Sequence, residues 1–91
     1  MPVLDLVLTH HWYDKIDSGE KRHEYREIKR YWTKRLFARP YSAVRFHRGY
    51  TSTTMCFDLV AIDETTEPND LNVPRCYRLT LGERIQPCPN N

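Results

Sequence analysis

Val3-Leu4-Asp5-Leu6-Val7-Leu8 runs directly into Thr9-His10-His11-Trp12-Tyr13-Asp14-Lys15-Ile16-Asp17, and then into Ser18-Gly19-Glu20-Lys21-Arg22-His23-Glu24-Tyr25-Arg26. This stretch decides the fold class. Leu4, Leu6 and Leu8 alternate, with Asp5 on the opposite face, so residues 3–8 read as a strand. Thr9 is placed to cap a helix over 10–17, with Trp12 and Ile16 on one face at i, i+4. Ser18-Gly19 ends that helix, glycine being suited to a left-handed cap. Residues 22–26 form a second strand. The rest of the chain continues in kind. Ile28, Tyr31, Trp32, Arg35 and Leu36 recur at helical spacing and predict an amphipathic helix over 28–37, stopped before Pro40. Residues 43–48 read as a strand with Val44 and Phe46 inward and Arg45 and His47 outward. Gly49 to Thr54 is a turn. Residues 55–62 are the most apolar strand and the expected centre of a sheet.

Residues 63–74 are acidic and hold Pro68, Asn69, Asp70 and Pro74, which reads as a loop. Tyr77, Leu79 and Leu81 alternate inward along 76–81. Gly82 is expected to turn the chain and Ile85 to add a short last strand. The tail 87–91 reads as frayed. About five to six short strands and two short helices are too few for a doubly wound sheet. They predict an α+β fold, a small mixed or antiparallel barrel with helices at its side.

The 91 residues, 40% hydrophobic and 29% charged, give room for one domain spanning 1–91, with about 3–85 structured. A chain this short buries about two-thirds of its unfolded surface, so one modest core forms and a large enclosed chamber does not. No apolar run approaches the roughly 20 residues that span a bilayer, so no membrane partner is expected. The start of the chain lacks a basic region and a cleavage site, which argues against a signal peptide. Cys56, Cys76 and Cys88 are odd in number and lack metal-ligand spacing. Three free thiols and a reducing, cytoplasmic home are the expectation, with Cys56 a buried small hydrophobe. No cofactor is expected. His10, His11, His23 and His47 show no H-x-x-x-H spacing, so no metal is expected. Ser52, Thr53 and Thr54 have no partnered His–Asp arrangement, and three glycines make no phosphate loop.

Net charge is +2 but uneven. Residues 21–48 hold ten Lys/Arg against Glu24 and Glu27, a net of +8, with seven aromatics in or beside them. Cations that neutralise phosphates, interleaved with flat rings that stack on bases, are what single-stranded nucleic acid needs. Aromatic core beneath a solvated charged face gives the same pattern. The densest cluster is Gly19 to Arg26. On a regular strand Glu24 and Arg26 share one face. Lys21 joins them if the chain still turns at 20–22. Lys, Glu and Arg on one surface can clamp a phosphate or bond a base edge, or Lys21 can act as nucleophile or base beside a second cation, an effect that Glu24 opposes. A plain cross-strand ion pair has the same spacing.

Leu6 to Leu8, Trp12, Ile16 and Gly19-Glu20-Lys21-x-x-Glu24-x-Arg26 resemble the ASCH domain of the PUA-like superfamily, whose motif reads G-x-K-x-x-E-x-R after the first helix. Tyr25 to Lys29, Tyr31-Trp32 and Arg35-Leu36 are similar to a compact subfamily of bacteria and phages. Tyr41 to Phe46, Gly49-Tyr50, Met55 to Val60 and Leu79-Thr80-Leu81-Gly82 follow the same pattern over about 3–85. The resemblance implies a small barrel that binds RNA, single-stranded nucleic acid or a nucleoside in a cleft beside the first helix. Lys21, Glu24 and Arg26 carry over as its polar residues. Trp12, Arg45, His47, Arg48 and Tyr50 are the candidates to extend the binding surface. Some short members hydrolyse acetylated cytidine with a motif Lys, a motif Thr and a downstream Glu. Lys21 matches the first; the second is Glu24 here; Glu64 and Glu67 are poor matches for the third. Nucleic-acid or nucleotide binding is therefore the leading expectation. An amidohydrolase or ribonuclease using Lys21 and Glu24 comes second, and a protein-interaction module third.

Overall fold

The computed structural model describes residues 2–89. Five strands and two helices follow in the order β1 (Val3–Leu8), α1 (His10–Asp17), β2 (His23–Arg26), α2 (Arg30–Leu36), β3 (Ala43–Arg48), β4 (Thr54–Thr65) and β5 (Cys76–Ile85). The strands form one mixed sheet, β1-β3-β4-β5-β2. β1 and β3 are parallel and the other pairs antiparallel. The fold is α+β, a sheet curled into a half-barrel. β4 is central, as its apolar run predicts.

The two edge strands, β1 and β2, are joined through α1 yet lie at opposite ends of the sheet order. Curling brings those ends together. Arg26 Nη2 on β2 donates to Val7 O on β1 at 3.3 Å. A second arginine, Arg35 of α2, donates from Nη2 to Asp5 O. Carbonyls at i and i+2 on a free strand edge point the same way and invite another strand. Here two guanidiniums cover them, and both lie over the Trp32 ring, at 4.6 Å for Arg26 and 5.9 Å for Arg35. Side chains therefore close this seam.

The core lines the inner face. Leu4, Leu6 and Leu8 of β1 pack with Val44 and Phe46, Met55 and Leu59, and Tyr77, Leu79 and Leu81. Tyr13 and Ile16 from α1 complete it, while α2 fully buries Leu36. One buried leucine is worth about 1.5–3 kcal/mol, so α2 leans heavily on polar ties. Thr33 Oγ1 and Tyr77 OH share a hydrogen bond of 2.6 Å.

Several expectations are corrected. Thr9 occupies the cap of α1 without a side-chain hydrogen bond, whereas Gly19, at φ 87°, closes the other end as expected. α2 begins at Arg30, because Lys29 stays extended, and Ile28 and Tyr31 are exposed. β4 runs three residues past the predicted end, with Val60 exposed, because Leu59 faces inward and Val60 outward. Gly82 does not turn the chain. β5 passes through it to Ile85, so there is no sixth strand among the described residues. A Cβ on Gly82 would sit 3.0 Å from Val60 Cγ2 and 3.1 Å from Asp58 Cβ. The glycine admits the irregular stretch of β4 between Phe57 and Ala61.

The expected free thiols and frayed tail are overturned together. Cys56 is bonded to Cys88. Register places Cys56 opposite Arg45, hence on the outer face, yet it is fully buried. The segment 86–89 folds back over that face, and Pro89 O accepts from Arg45 Nη2 at 2.6 Å. Asn90 and Asn91 lie outside the described residues. Cys76 is the free thiol, and burial, helped by the Asp70 carboxylate, pushes it above its ordinary value. The compartment reading drawn from three free thiols loses that support. Among the described residues no helix is long and apolar enough to cross a membrane.

Candidate functional site

Gly19 lets the chain turn out of α1, and Lys21 N bonds back to Lys15 O at 3.1 Å. That turn brings Lys21 to the face of Glu24 and Arg26. Glu24 pairs across the sheet with Leu79 and Arg26 with Tyr77, both core residues. The polar pair therefore lies on the inner face, at the β1–β2 seam. Glu24 is 5% exposed. Its Oε1 accepts from Lys21 Nζ at 2.8 Å and its Oε2 from Arg26 Nη2 at 2.7 Å. Asp70 Oδ2 makes a second ion pair with Lys21 Nζ. Two cations and two carboxylates thus balance. Ion pairs this buried add little net stability, because desolvation offsets their attraction.

Two tryptophans flank the cluster. Lys21 Nζ lies 4.5 Å from the Trp12 ring centroid, and Arg26 lies on Trp32. Together they enclose a cleft of about 210 Å³, whose lining includes Trp12, Lys21, Glu24, Arg26, Trp32 and Asp70. The Tyr25 phenol also lines it, raised above its ordinary value by burial and then by Asp70. The cluster has bonding capacity in reserve. Glu24 has used one lone pair on each oxygen, and Lys21 donates one N–H to Glu24 and meets Asp70 as an ion pair. Among the described residues Arg26 Nε and Asp70 Oδ2 are buried with no hydrogen-bond partner.

Trp12, Lys21, Glu24 and Arg26 are thus brought together at one cleft. Arg45, His47 and Arg48 are not. Arg45 Nη1 and His47 Nε2 both bond Asp5 Oδ1, at 3.2 and 2.8 Å, on the outer face. Arg48 grips Asp14 with two bonds of 3.0 Å. The parity that exposes Arg45 and His47 also turns them away from Glu24 and Arg26. Tyr50 is almost fully exposed and lines a neighbouring groove.

Asp70 is not legible in the sequence as a site residue. It belongs to the acidic loop, and Asn69 holds that loop in shape. Asn69 Oδ1 accepts from Leu71 N at 3.0 Å, and its Nδ2 donates to Val73 O at 2.8 Å. Asn69 beside Pro68 signals such a turn, but not what the turn presents. Among the described residues no group of three His, Cys, Asp or Glu is placed to hold a metal. Comparison of the chain with protein-family models, curated proteins and solved structures finds no match.

Proposed function

We propose that this is an ASCH-type, PUA-like domain that binds a nucleobase in the seam cleft. The observation that carries the reading is the Lys21–Glu24–Arg26–Asp70 cluster set between the Trp12 and Trp32 walls. A nucleobase is planar and apolar on its faces, and its edge carries donors and acceptors. Indole walls suit the faces. Spare lone pairs on Glu24 and Asp70, and spare N–H groups on Lys21 and Arg26, suit the edge. The volume suits one base and not a folded strand. The dispersal of Arg45, His47 and Arg48 argues in the same direction, since the predicted track along β3 is neutralised by Asp5 and Asp14.

A second reading draws on Asp70. An amidohydrolase of the kind the resemblance implies needs an acid downstream of the motif lysine, and Asp70 lies on Lys21. Both readings are tested on one set of proteins. Nucleosides and nucleotides are titrated into wild type, Lys21→Arg, Glu24→Gln and Arg26→Lys, and hydrolysis of N4-acylated cytidine is followed. Binding that survives Lys21→Arg and falls with Glu24→Gln supports base recognition. Turnover abolished by Lys21→Arg supports hydrolysis, because Arg stays protonated. Absence of both in wild type refutes both.

A further inference from the structure

We infer that the ligand of the cleft carries a phosphate, and that an adjoining groove walled by α2 receives it; the inference rests on the base-binding reading. The groove, of about 490 Å³, is lined by Arg26, Tyr31, Trp32, Arg35, Gly49 and Tyr50 along the β1 edge. It shares Arg26, Trp32 and Val7–Thr9 with the cleft. Among the described residues no carboxylate lines it, whereas Glu24, Glu27 and Asp70 line the cleft. A phosphate is repelled from the cleft's acids and drawn to the groove's arginines.

The ion pairs show where the positive charge remains. Of the ten cations between 21 and 48, Lys21, Arg26, Lys29, Arg45 and Arg48 pair with carboxylates. Among the described residues Arg22, Arg30, Lys34, Arg35 and Arg39 make no such pair. Three of these, Arg30, Lys34 and Arg35, sit on α2, which carries no acid. Arg35 is half-buried, unlike Arg30 and Lys34 beside it. Arg35 donates to Asp5 O and, through Nη1, to Tyr31 OH at 3.2 Å, and to no carboxylate among the described residues. Its remaining N–H groups, with the unpartnered Arg26 Nε at the junction, are the donors a phosphate oxygen takes from a guanidinium. Tyr50, 97% exposed beside them, offers a ring with no packing role. Two sources supply this chemistry: a free mononucleotide, or one unit of a single strand.

The test compares each nucleoside with its 5′- and 3′-monophosphate and with a single-stranded trinucleotide, on wild type, Arg35→Gln and Tyr50→Ala, at several salt concentrations. Wild type is expected to bind at least one monophosphate about tenfold or more tighter than the nucleoside, the size of a charge-assisted hydrogen bond. Arg35→Gln keeps a donor for Asp5 O and should erase that gap, read as the ratio of monophosphate to nucleoside affinity measured on the same variant. A trinucleotide that binds far better than the monophosphate, and binds no better in Tyr50→Ala, assigns the phosphate to a strand. Equal affinities assign it to a free nucleotide. Nucleoside and monophosphate binding equally in wild type, or a gap that survives Arg35→Gln, overturns the inference and leaves the base reading standing. No binding of any probe removes both. If Arg35→Gln does not fold, Arg35→Lys replaces it: it keeps the charge and a donor for Asp5 O but loses the forked N–H groups, so the gap must shrink severalfold; an unchanged gap overturns the inference.

Discussion

Glu24 and Asp5 are each a carboxylate between two basic side chains, and the chain uses them oppositely. Glu24 gives Lys21 and Arg26 one oxygen each, has a side chain 7% exposed, and borders a cleft. Asp5 gives Arg45 and His47 the same oxygen on the outer face, and its side chain is 35% exposed. Around Glu24 bonding capacity is left over and two indoles stand by. Around Asp5 the neighbouring segment 86–89 closes in, and Arg45 donates from its other terminal nitrogen to Pro89 O. The difference comes from which face of the sheet each residue occupies. Charge pattern alone does not separate a binding cluster from a surface brace; burial together with spare valence does.

The largest expected effect breaks the buried member. Glu24→Ala leaves Arg26 without its carboxylate and Lys21 with Asp70 alone. Loss of one partner from a buried pair costs about 3–5 kcal/mol, read as a lowered denaturation midpoint in urea. A cost under about 1 kcal/mol would mean that the cluster is solvated, as exposed pairs are. Next comes the brace over the outer face. Cys56 and Cys88 are 32 residues apart, and closing such a loop restricts the unfolded chain by about 3–4 kcal/mol. Cys56→Ser, or a reductant, should lower stability by up to that amount, and thiol counting on unfolded wild type should find one free thiol, Cys76. Three free thiols would remove the bond.

Asp5→Asn should cost far less, about 1 kcal/mol or below, since solvent screens a pair this exposed. A cost equal to that of Glu24→Ala would erase the comparison. The smallest effect belongs to Asp63, more exposed still. Two Arg78 bonds, at 3.2 and 2.9 Å, hold its carboxyl below the usual carboxylate range. A lowered folded value means stability that is present above the unfolded value, near 3.9, and lost as pH falls through the folded one. Asp63→Asn should therefore flatten the acid limb of the stability profile below about pH 4, checked by thermal melts across that range.

Much of this fold is legible because its elements obey short periods. Leu4-x-Leu6-x-Leu8 and Val44-x-Phe46 show their faces directly, and Gly19 announces the turn that lets Lys21 meet Glu24. What fails is whatever depends on register between distant strands. Gly82 looks like a turn until β4 is laid against β5. Arg45 and His47 look like site residues because outward parity suggests accessibility, while Glu24 and Arg26 share parity with Leu79 and Tyr77. Asp70 comes from a loop whose destination no local pattern encodes. The Cys56–Cys88 bond joins a central strand to a tail whose proline-rich composition reads as loose. Lys21, Glu24 and Arg26 of the motif do line a cleft beside α1, and the function drawn from the resemblance stands as proposed.

The central claim is that a nucleobase enters between Trp12 and Trp32. These are the only two tryptophans in the chain, and both line the cleft, so intrinsic fluorescence reports on this site. Nucleosides and nucleotides titrated into the oxidised protein should change tryptophan emission saturably for at least one base. Trp12→Phe and Trp32→Phe should each lose part of that change, and Glu24→Gln should weaken the affinity. Emission that stays flat for all bases, with and without phosphate, up to millimolar concentration, would contradict the account.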